Sequence, residues 1–157
     1  MAKISKDTKR ISLQFKNRLI DLFDDADVDI VTFCKNSNTS QTPIRNALTF
    51  GIVPSVLILI KIANYFNVSF DYLICDKDEN DFIEAVTPCT FYERYDFLRK
   101  AKNVKHSQIA NVMPFGRNVI SEWKRNNTIP TIDNLKLLAN YFDVSIDYLL
   151  GRTDYEK

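Results

Sequence analysis

One segment occurs twice in the chain of 157 residues, and this repeat limits the folds that the chain can adopt. Residues 63–74 read ANYFNVSFDYLI and residues 139–150 read ANYFDVSIDYLL, so nine of twelve positions are identical. The same offset, which pairs Ala63 with Ala139, aligns further apolar positions without a gap, such as Phe15 with Phe91. A fixed internal period indicates repeated structural units, and we interpret it as the duplication of one domain.

Both halves have the residue spacing of short amphipathic helices. Phe15, Leu19 and Leu22 are spaced i, i+4 and i+7, which places them on one helical face, and their counterparts in the second half repeat this spacing. Three Gly and five Pro residues are too few for an all-β fold with many tight turns. The sequence predicts an all-α fold of two tandem five-helix domains. The predicted boundaries are 1–76 for the first domain, 77–90 for a linker with one helical turn near 82–85, and 91–157 for the second domain.

Start and stop signals divide the second half into helices. The first three are predicted at 91–101, 105–113 and 117–125. Thr131 and Ser145 are the predicted N-caps of the fourth and fifth helices, because a hydroxyl can accept from the unpaired N–H groups of a first turn. Gly151 is the predicted stop after the fifth helix.

Composition narrows the class of protein. Apolar residues make up 45% and charged residues 26% of the chain, a balance typical of a soluble globular protein. Cys34, Cys75 and Cys89 match no disulfide or zinc spacing and are expected to be free thiols in a reducing cytoplasm. The N-terminus lacks the apolar core of a secretory signal, and the apolar run at 52–60 is too short to span a bilayer. We therefore expect a cytoplasmic protein without a membrane segment.

No combination of residues indicates catalysis. The chain has one His and lacks the HExxH, Gly-rich phosphate-loop and GxSxG patterns. We therefore predict neither an enzymatic activity nor a bound cofactor or metal, and we expect a binding function.

The third predicted helix of the second half has a face suited to reading DNA. Ile120 and Trp123, spaced i and i+3, are expected to anchor it against the core. Four polar side chains are expected on the opposite face: Arg117, Asn118, Ser121 and Glu122. In the major groove Arg pairs with guanine, Asn pairs with adenine and Glu accepts from cytosine, although Glu122 has the alternative role of holding Arg117 in place. Lys124 and Arg125, at the end of this helix, are candidates for phosphate contacts.

The two halves of the chain differ in formal charge. Residues 91–127 contain eight basic and three acidic side chains, a formal charge of +5, although the whole chain carries only +1. The equivalent stretch 15–51 contains four basic and five acidic side chains, a formal charge of −1. Because phosphate neutralisation dominates DNA affinity, the second half is expected to contribute most of the binding. The acidic run at 21–29 is interpreted either as a solvated face or as a protein-binding surface.

The second half resembles the Cro/repressor-type, or xenobiotic-response-element, helix-turn-helix family. The resemblance lies in residues 104–125, the loop that contains Pro130, and residues 135–151. It implies a lambda-repressor-like fold and a DNA-binding transcriptional regulator, which we expect to act as a repressor. It also implies base contacts by the residues at the family's reading positions, which are Arg117, Asn118 and Glu122.

In this family the start of the second helix supplies a phosphate contact, which the resemblance assigns here to Lys105 or His106. The chain departs from the family pattern at this place, because these two residues stand where a Ser-Gln pair is usual. It also has Pro114 where the family has a turn glycine. An idle surface position is the alternative for His106.

The first half retains a candidate reading helix that begins after Ser40. Its candidate DNA contacts are Gln41, Thr42, Arg45 and Asn46. It departs further from the family, because Ala47 is the counterpart of Trp123 and a Leu-Thr pair at 48–49 replaces the Lys-Arg pair. Four basic residues near the N-terminus form either an arm suited to phosphates and the minor groove or an ordinary solvated terminus. They are Lys3, Lys6, Lys9 and Arg10.

Three functions follow from these patterns. In the leading hypothesis both domains bind double-stranded DNA, as a covalent substitute for a dimer on two half-sites about 34 Å apart. In the second, only the second domain contacts DNA and the first is a dimerisation or protein-docking module, which includes the case of a homodimer. In the third, the chain acts through a protein partner, as an antitoxin or anti-repressor would.

Overall fold

The computed structural model describes residues 10–157, whose ten helices fall into two units. Unit 1 comprises the described residues up to Asp81, and unit 2 comprises Phe82–Lys157. Within residues 10–157 the extended pairing is limited to one isolated antiparallel bridge, between Ile11 and Ile52. The predicted all-α fold is therefore confirmed.

Each unit contains five helices in the same order. Those of unit 1 are α1 (Leu13–Asp25), α2 (Ile30–Ser37), α3 (Gln41–Phe50), α4 (Val56–Phe66) and α5 (Phe70–Leu73). Those of unit 2 are α6 (Phe91–Ala101), α7 (His106–Val112), α8 (Arg117–Asn126), α9 (Ile132–Phe142) and α10 (Ile146–Leu149). At the offset of the sequence repeat the last three helices of the two units have identical bounds, and α2 and α7 begin at equivalent residues. The helices thus recur with the same period as the sequence repeat. That one domain was duplicated stays a prediction from the sequence.

Side-chain caps fix several helix starts where the sequence predicted them. Thr131 accepts from the backbone N–H of Asn134 at 3.4 Å, and Ser145 accepts from that of Tyr148 at 3.0 Å. Ser40 is the N-cap residue of α3 by position, but its side chain makes no capping hydrogen bond. Gly151 follows α10 with a φ of +73°, and a Cβ atom there would overlap the Cys89 carbonyl oxygen. Glycine is therefore required at this stop by both the backbone conformation and the available space.

The aromatic cores of the two units are built at different places. In unit 1 the ring centroids lie 4.8–5.7 Å apart between α1, α2 and α4. These rings are Phe23, Phe33, Tyr65 and Phe66. In unit 2 three rings lie 5.1–5.3 Å from that of Trp123 in α8: Phe91, Tyr95 and Phe115. Aromatic packing therefore fixes α4 in unit 1, and in unit 2 it fixes α8 in addition to α9, whose Phe142 ring lies 6.1 Å from that of Tyr95.

One cation–π contact recurs in both units. The guanidinium of Arg18 lies 3.9 Å from the ring centroid of Tyr72, and that of Arg94 lies 3.8 Å from the ring centroid of Tyr148. Both pairs join the first helix of a unit to its last helix. Arg94 is only 9% exposed, so it contributes to the interior rather than to the basic surface expected from the sequence.

The segment predicted as a linker, residues 77–90, is divided between the units, with the boundary after Asp81. The Asn80 side chain accepts from the backbone N–H of Ser69 at 3.0 Å in unit 1. In unit 2 the backbone N–H of Ala85 donates to the Arg152 carbonyl oxygen at 2.8 Å. The helical turn predicted near 82–85 is absent from this described segment, where the N–H of Ala85 bonds to a residue near the C-terminus instead of to its own turn. The predicted basic arm at Lys3, Lys6 and Lys9 lies outside the described residues, which begin at Arg10.

Candidate nucleic-acid interface

Two helices of unit 2 and the turn between them form the candidate site. Helix α7 is one residue shorter at each end than predicted, with Lys105 and Met113 as its flanking residues. Helix α8 starts at Arg117, as predicted, and ends at Asn126. Phe115, in the turn, is 8% exposed, and its ring packs on that of Trp123. This contact fixes the turn, in which Pro114 stands at the position of the family's glycine.

The inner face of α8 is apolar and buried. Ile120 and Trp123 are 3% and 2% exposed, as the sequence predicted from their spacing. Three aromatic rings surround the indole, so α8 has one preferred rotation about its axis. That rotation decides which side chains face solvent.

The outer face of α8 presents all four predicted reading residues to solvent: Arg117, Asn118, Ser121 and Glu122. The Ser121 hydroxyl donates to the Arg117 carbonyl oxygen at 3.1 Å, a bond within the helix that leaves its lone pairs free to accept. Glu122 accepts from Arg125 at 3.3 Å, so the alternative in which it holds Arg117 is wrong in this structure. Lys124 and Arg125 are exposed at the end of the helix, where phosphates would lie beside a reading helix.

Lys105 and His106, at the start of α7, differ in what they can offer to a phosphate. Lys105 is exposed. Its backbone N–H donates to the Gln108 side chain at 2.8 Å, a bond that does not involve its ammonium group. The His106 ring is half-buried and stacks on Tyr95, with 2.9 Å between Nδ1 and the Tyr95 hydroxyl.

Burial, with Arg99 nearby, lowers the pKa of His106 below its usual value. Burial also raises the pKa of the Tyr95 hydroxyl, which therefore stays protonated. His106 is thus uncharged at neutral pH and can approach a phosphate only as a neutral N–H donor. The charge state follows from burial of the ring, and the role of His106 in binding phosphate stays a prediction.

Acidic side chains neutralise part of the basic surface. Asp96 accepts from Arg99 at 2.7 Å and from Lys100 at 2.9 Å, and these two cations lower the pKa of its carboxyl group although burial opposes them. The sequence analysis did not identify this cluster, whose signal is the i+3 and i+4 spacing of the two cations. The exposed cations around α7 and α8 that do not pair with Asp96 are then Lys102, Lys105, Arg117, Lys124 and Arg125.

The equivalent place in unit 1 has different chemistry. Arg45 donates to the Gln41 side chain at 2.7 Å, so two of its four candidate contacts are bonded to each other. Thr42 is exposed and Asn46 is half-buried. Asp29 stands at the position of Lys105 and accepts from the backbone N–H of Thr32 at 2.7 Å, and this hydrogen bond lowers the pKa of its carboxyl group. An anion therefore stands in unit 1 where unit 2 has a cation.

Helices α7 and α8 of unit 2 follow each other across a short turn, which is the order of a helix-turn-helix motif. Residues 97–149 match the helix-turn-helix family profile, which spans α7 and α8. The chain is also similar to two transcriptional regulators whose names include this type of domain. It is 35% identical over 61 residues to the HTH-type transcriptional activator BcrR of Enterococcus faecalis, a match that covers 39% of this chain and 30% of that protein. It is 33% identical over 64 residues to the uncharacterized HTH-type transcriptional regulator YobD of Bacillus subtilis (strain 168), covering 41% of this chain and 57% of that protein.

These matches have limited extent. The chain spans less than two thirds of the length of either relative. No solved structure matches the chain significantly. The similarity is therefore to a helix-turn-helix domain, over residues 97–149.

Membrane spans and metal clusters are both absent from residues 10–157. None of the helices in this range is long and apolar enough to cross a membrane. Nor does this range contain three or more His, Cys, Asp or Glu side chains grouped so that they could hold a metal ion.

Proposed function

We propose that the chain is a transcriptional regulator that binds double-stranded DNA through unit 2. The observation that carries the proposal is the outer face of α8, where Arg117, Asn118, Ser121 and Glu122 are exposed opposite a buried tryptophan. A short helix held in this way fits the major groove with its N-terminal residues toward the base edges. Similarity to two transcriptional regulators supports the same function.

Within this proposal the residues divide into two roles. Arg117, Asn118 and Glu122 read base edges, while Lys105 and Lys124 contact phosphates. Arg125 alternates between a phosphate and Glu122, its partner in the free protein. Base contacts give sequence preference and phosphate contacts give the salt-dependent part of the affinity.

The finer points of the function are also proposals. We expect repression, because a protein bound across a promoter excludes polymerase without needing a further contact. Binding by unit 1, a homodimer and a cytoplasmic location stay predictions from the sequence.

The test is fluorescence anisotropy of the full chain on random duplex DNA at several salt concentrations, followed by selection of preferred sites. An Arg117→Ala/Asn118→Ala variant is expected to lose about 1–3 kcal/mol of binding free energy per reading residue on its selected site. The matched variant, Gln41→Ala/Thr42→Ala, changes the equivalent residues of unit 1 and is expected to have a smaller effect. Absence of binding at low salt, or selection without an enriched motif, would refute the proposal.

A further inference from the structure

Unit 1 has an open groove on the surface formed by its first three helices. Its volume is about 500 Å³, and we refer to it as the α1–α3 groove. Six apolar residues line it: Ile20, Phe23, Val28, Ile30, Val31 and Leu48. Val31, an apolar residue of α2, is 56% exposed. An apolar groove of this kind offers contacts to the apolar side chains of a peptide helix.

Carboxylates also line this groove. Asp24 and Asp29 are part of its lining, and both are exposed. Asp21, Asp25 and Asp27 are exposed on the same stretch of chain. The groove therefore combines an apolar floor with negative charge at its rim.

Four positions of this lining carry the reverse chemistry in unit 2. At the offset of the sequence repeat, Leu48 corresponds to Lys124 and Val31 to Ser107. Asp29 corresponds to Lys105, and Asp24 to Lys100. Since α2 with α7 and α3 with α8 begin at equivalent residues, the difference lies in the side chains and not in the helix starts. At these four positions, apolar and acidic groups in unit 1 occupy the places of polar and basic groups in unit 2.

The negative charge at the rim of the groove favours some classes of ligand over others. It repels nucleic acid and anionic lipid, and two copies joined through this groove by a twofold axis would bring like charges together. A cationic segment gains from the same charges. An amphipathic helix buries apolar side chains spaced i, i+3, i+4 and i+7 in such a groove while its other face stays polar.

We propose that the α1–α3 groove binds a basic amphipathic helix of a partner protein. Apolar side chains of that helix contact Val31 and Leu48, and its Lys or Arg side chains pair with Asp24 and Asp29. This function is separate from DNA binding, because it uses unit 1 and is measured without DNA.

The test uses a labelled synthetic helical peptide with Leu on one face and Lys on the other, titrated with the full chain in fluorescence anisotropy. A second peptide keeps the Leu positions and replaces every Lys by Glu. We expect the Lys peptide to bind and to weaken as salt is added, and the Glu peptide to bind at least about tenfold more weakly, because its charges oppose the rim.

Two matched variants locate the site. Leu48→Lys introduces the residue that unit 2 has at this position, and its long side chain can keep its charge in solvent, so the fold is expected to persist. Leu57→Lys makes the same change at a side chain that is 61% exposed and outside the groove lining. We expect Leu48→Lys to weaken the Lys peptide at least about tenfold and Leu57→Lys to leave it unchanged, with circular dichroism confirming that both variants are folded.

Several results would overturn the proposal. They are no binding of the Lys peptide, equal binding of both peptides, and equal effects of the two leucine variants. If the peptide binds only after Lys3, Lys6 and Lys9 are changed to Gln, the occupant is the chain's own N-terminal segment. If the chain sediments as a dimer that Leu48→Lys converts to a monomer, the occupant is a second copy. Loss of DNA binding together with retained peptide binding would instead reject only the proposed function.

Discussion

Units 1 and 2 have the same order of helices but carry different side-chain chemistry on the equivalent surface. In unit 2 the third helix is held from behind by Trp123, and cations such as Lys105 and Lys124 surround its exposed face. In unit 1 the equivalents are Ala47, Asp29 and Leu48. The comparison teaches that this fold tolerates opposite surface chemistries, because the helices are fixed by residues on their inner faces.

The largest expected effect concerns the packing behind the third helix. Trp123→Ala should destabilise unit 2 by about 3–5 kcal/mol, because it leaves a cavity among three aromatic rings. Urea unfolding followed by circular dichroism measures this loss, and hydrogen exchange assigns it to α8. The matched change in unit 1, Phe33→Ala, should instead lower protection in α2 and α4. A loss below about 1 kcal/mol for Trp123→Ala would mean that α8 is held by other contacts.

A charge exchange at the start of the second helix should have an intermediate effect. Lys105→Asp gives unit 2 the residue of unit 1, and aspartate is a good N-cap, so α7 should remain folded. We expect about tenfold weaker DNA binding and a salt slope smaller by at least about one unit, because a phosphate contact becomes a repulsion. Anisotropy at several salt concentrations measures both quantities.

The control for this exchange is Asp29→Lys, which gives unit 1 the residue of unit 2. It should change DNA affinity by less than about twofold if unit 2 alone approaches the phosphates. A large gain would show that unit 1 also lies near the DNA, and the contrast between the two units would then fail.

The smallest effect concerns pH. The pKa of His106 is lowered in the folded state, so below its ordinary value of 6.5 the unfolded chain binds more protons than the folded chain. Stability should therefore fall as the pH drops through 6.5 and level off below the folded-state pKa. His106→Gln should remove this part of the pH dependence, as measured by urea unfolding at several pH values. An unchanged pH profile would mean that the ring is not buried against Tyr95 in solution.

Sequence patterns predicted much of the fold and part of the site. The repeat and the apolar spacing predicted helices at the observed places, and the hydroxyls of Thr131 and Ser145 predicted two helix starts. They also predicted the outward face of α8, since Ile120 and Trp123 define its inward face. These features depend on neighbours within a few residues, which a sequence displays directly.

The side-chain partners could not be predicted in the same way. Arg94 counted as a surface cation until its position against Tyr148 showed it to be buried, and the sequence did not show that the His106 ring lies on Tyr95. The alternative pairing of Glu122 with Arg117 is replaced by a pair with Arg125. Each outcome depends on rotamers and on contacts between helices.

The sequence by itself determined the all-α fold, the period of its helices and the chemical contrast between the two halves. Periodicity and charge are properties of the order of residues, so they need no coordinates. Only the tertiary structure decided which charges reach solvent, and that Ile20 and Leu48, far apart in sequence, line one acidic-rimmed groove. The physical reason is that burial and charge pairing are set by the packing of helices against one another, which brings distant residues within contact distance.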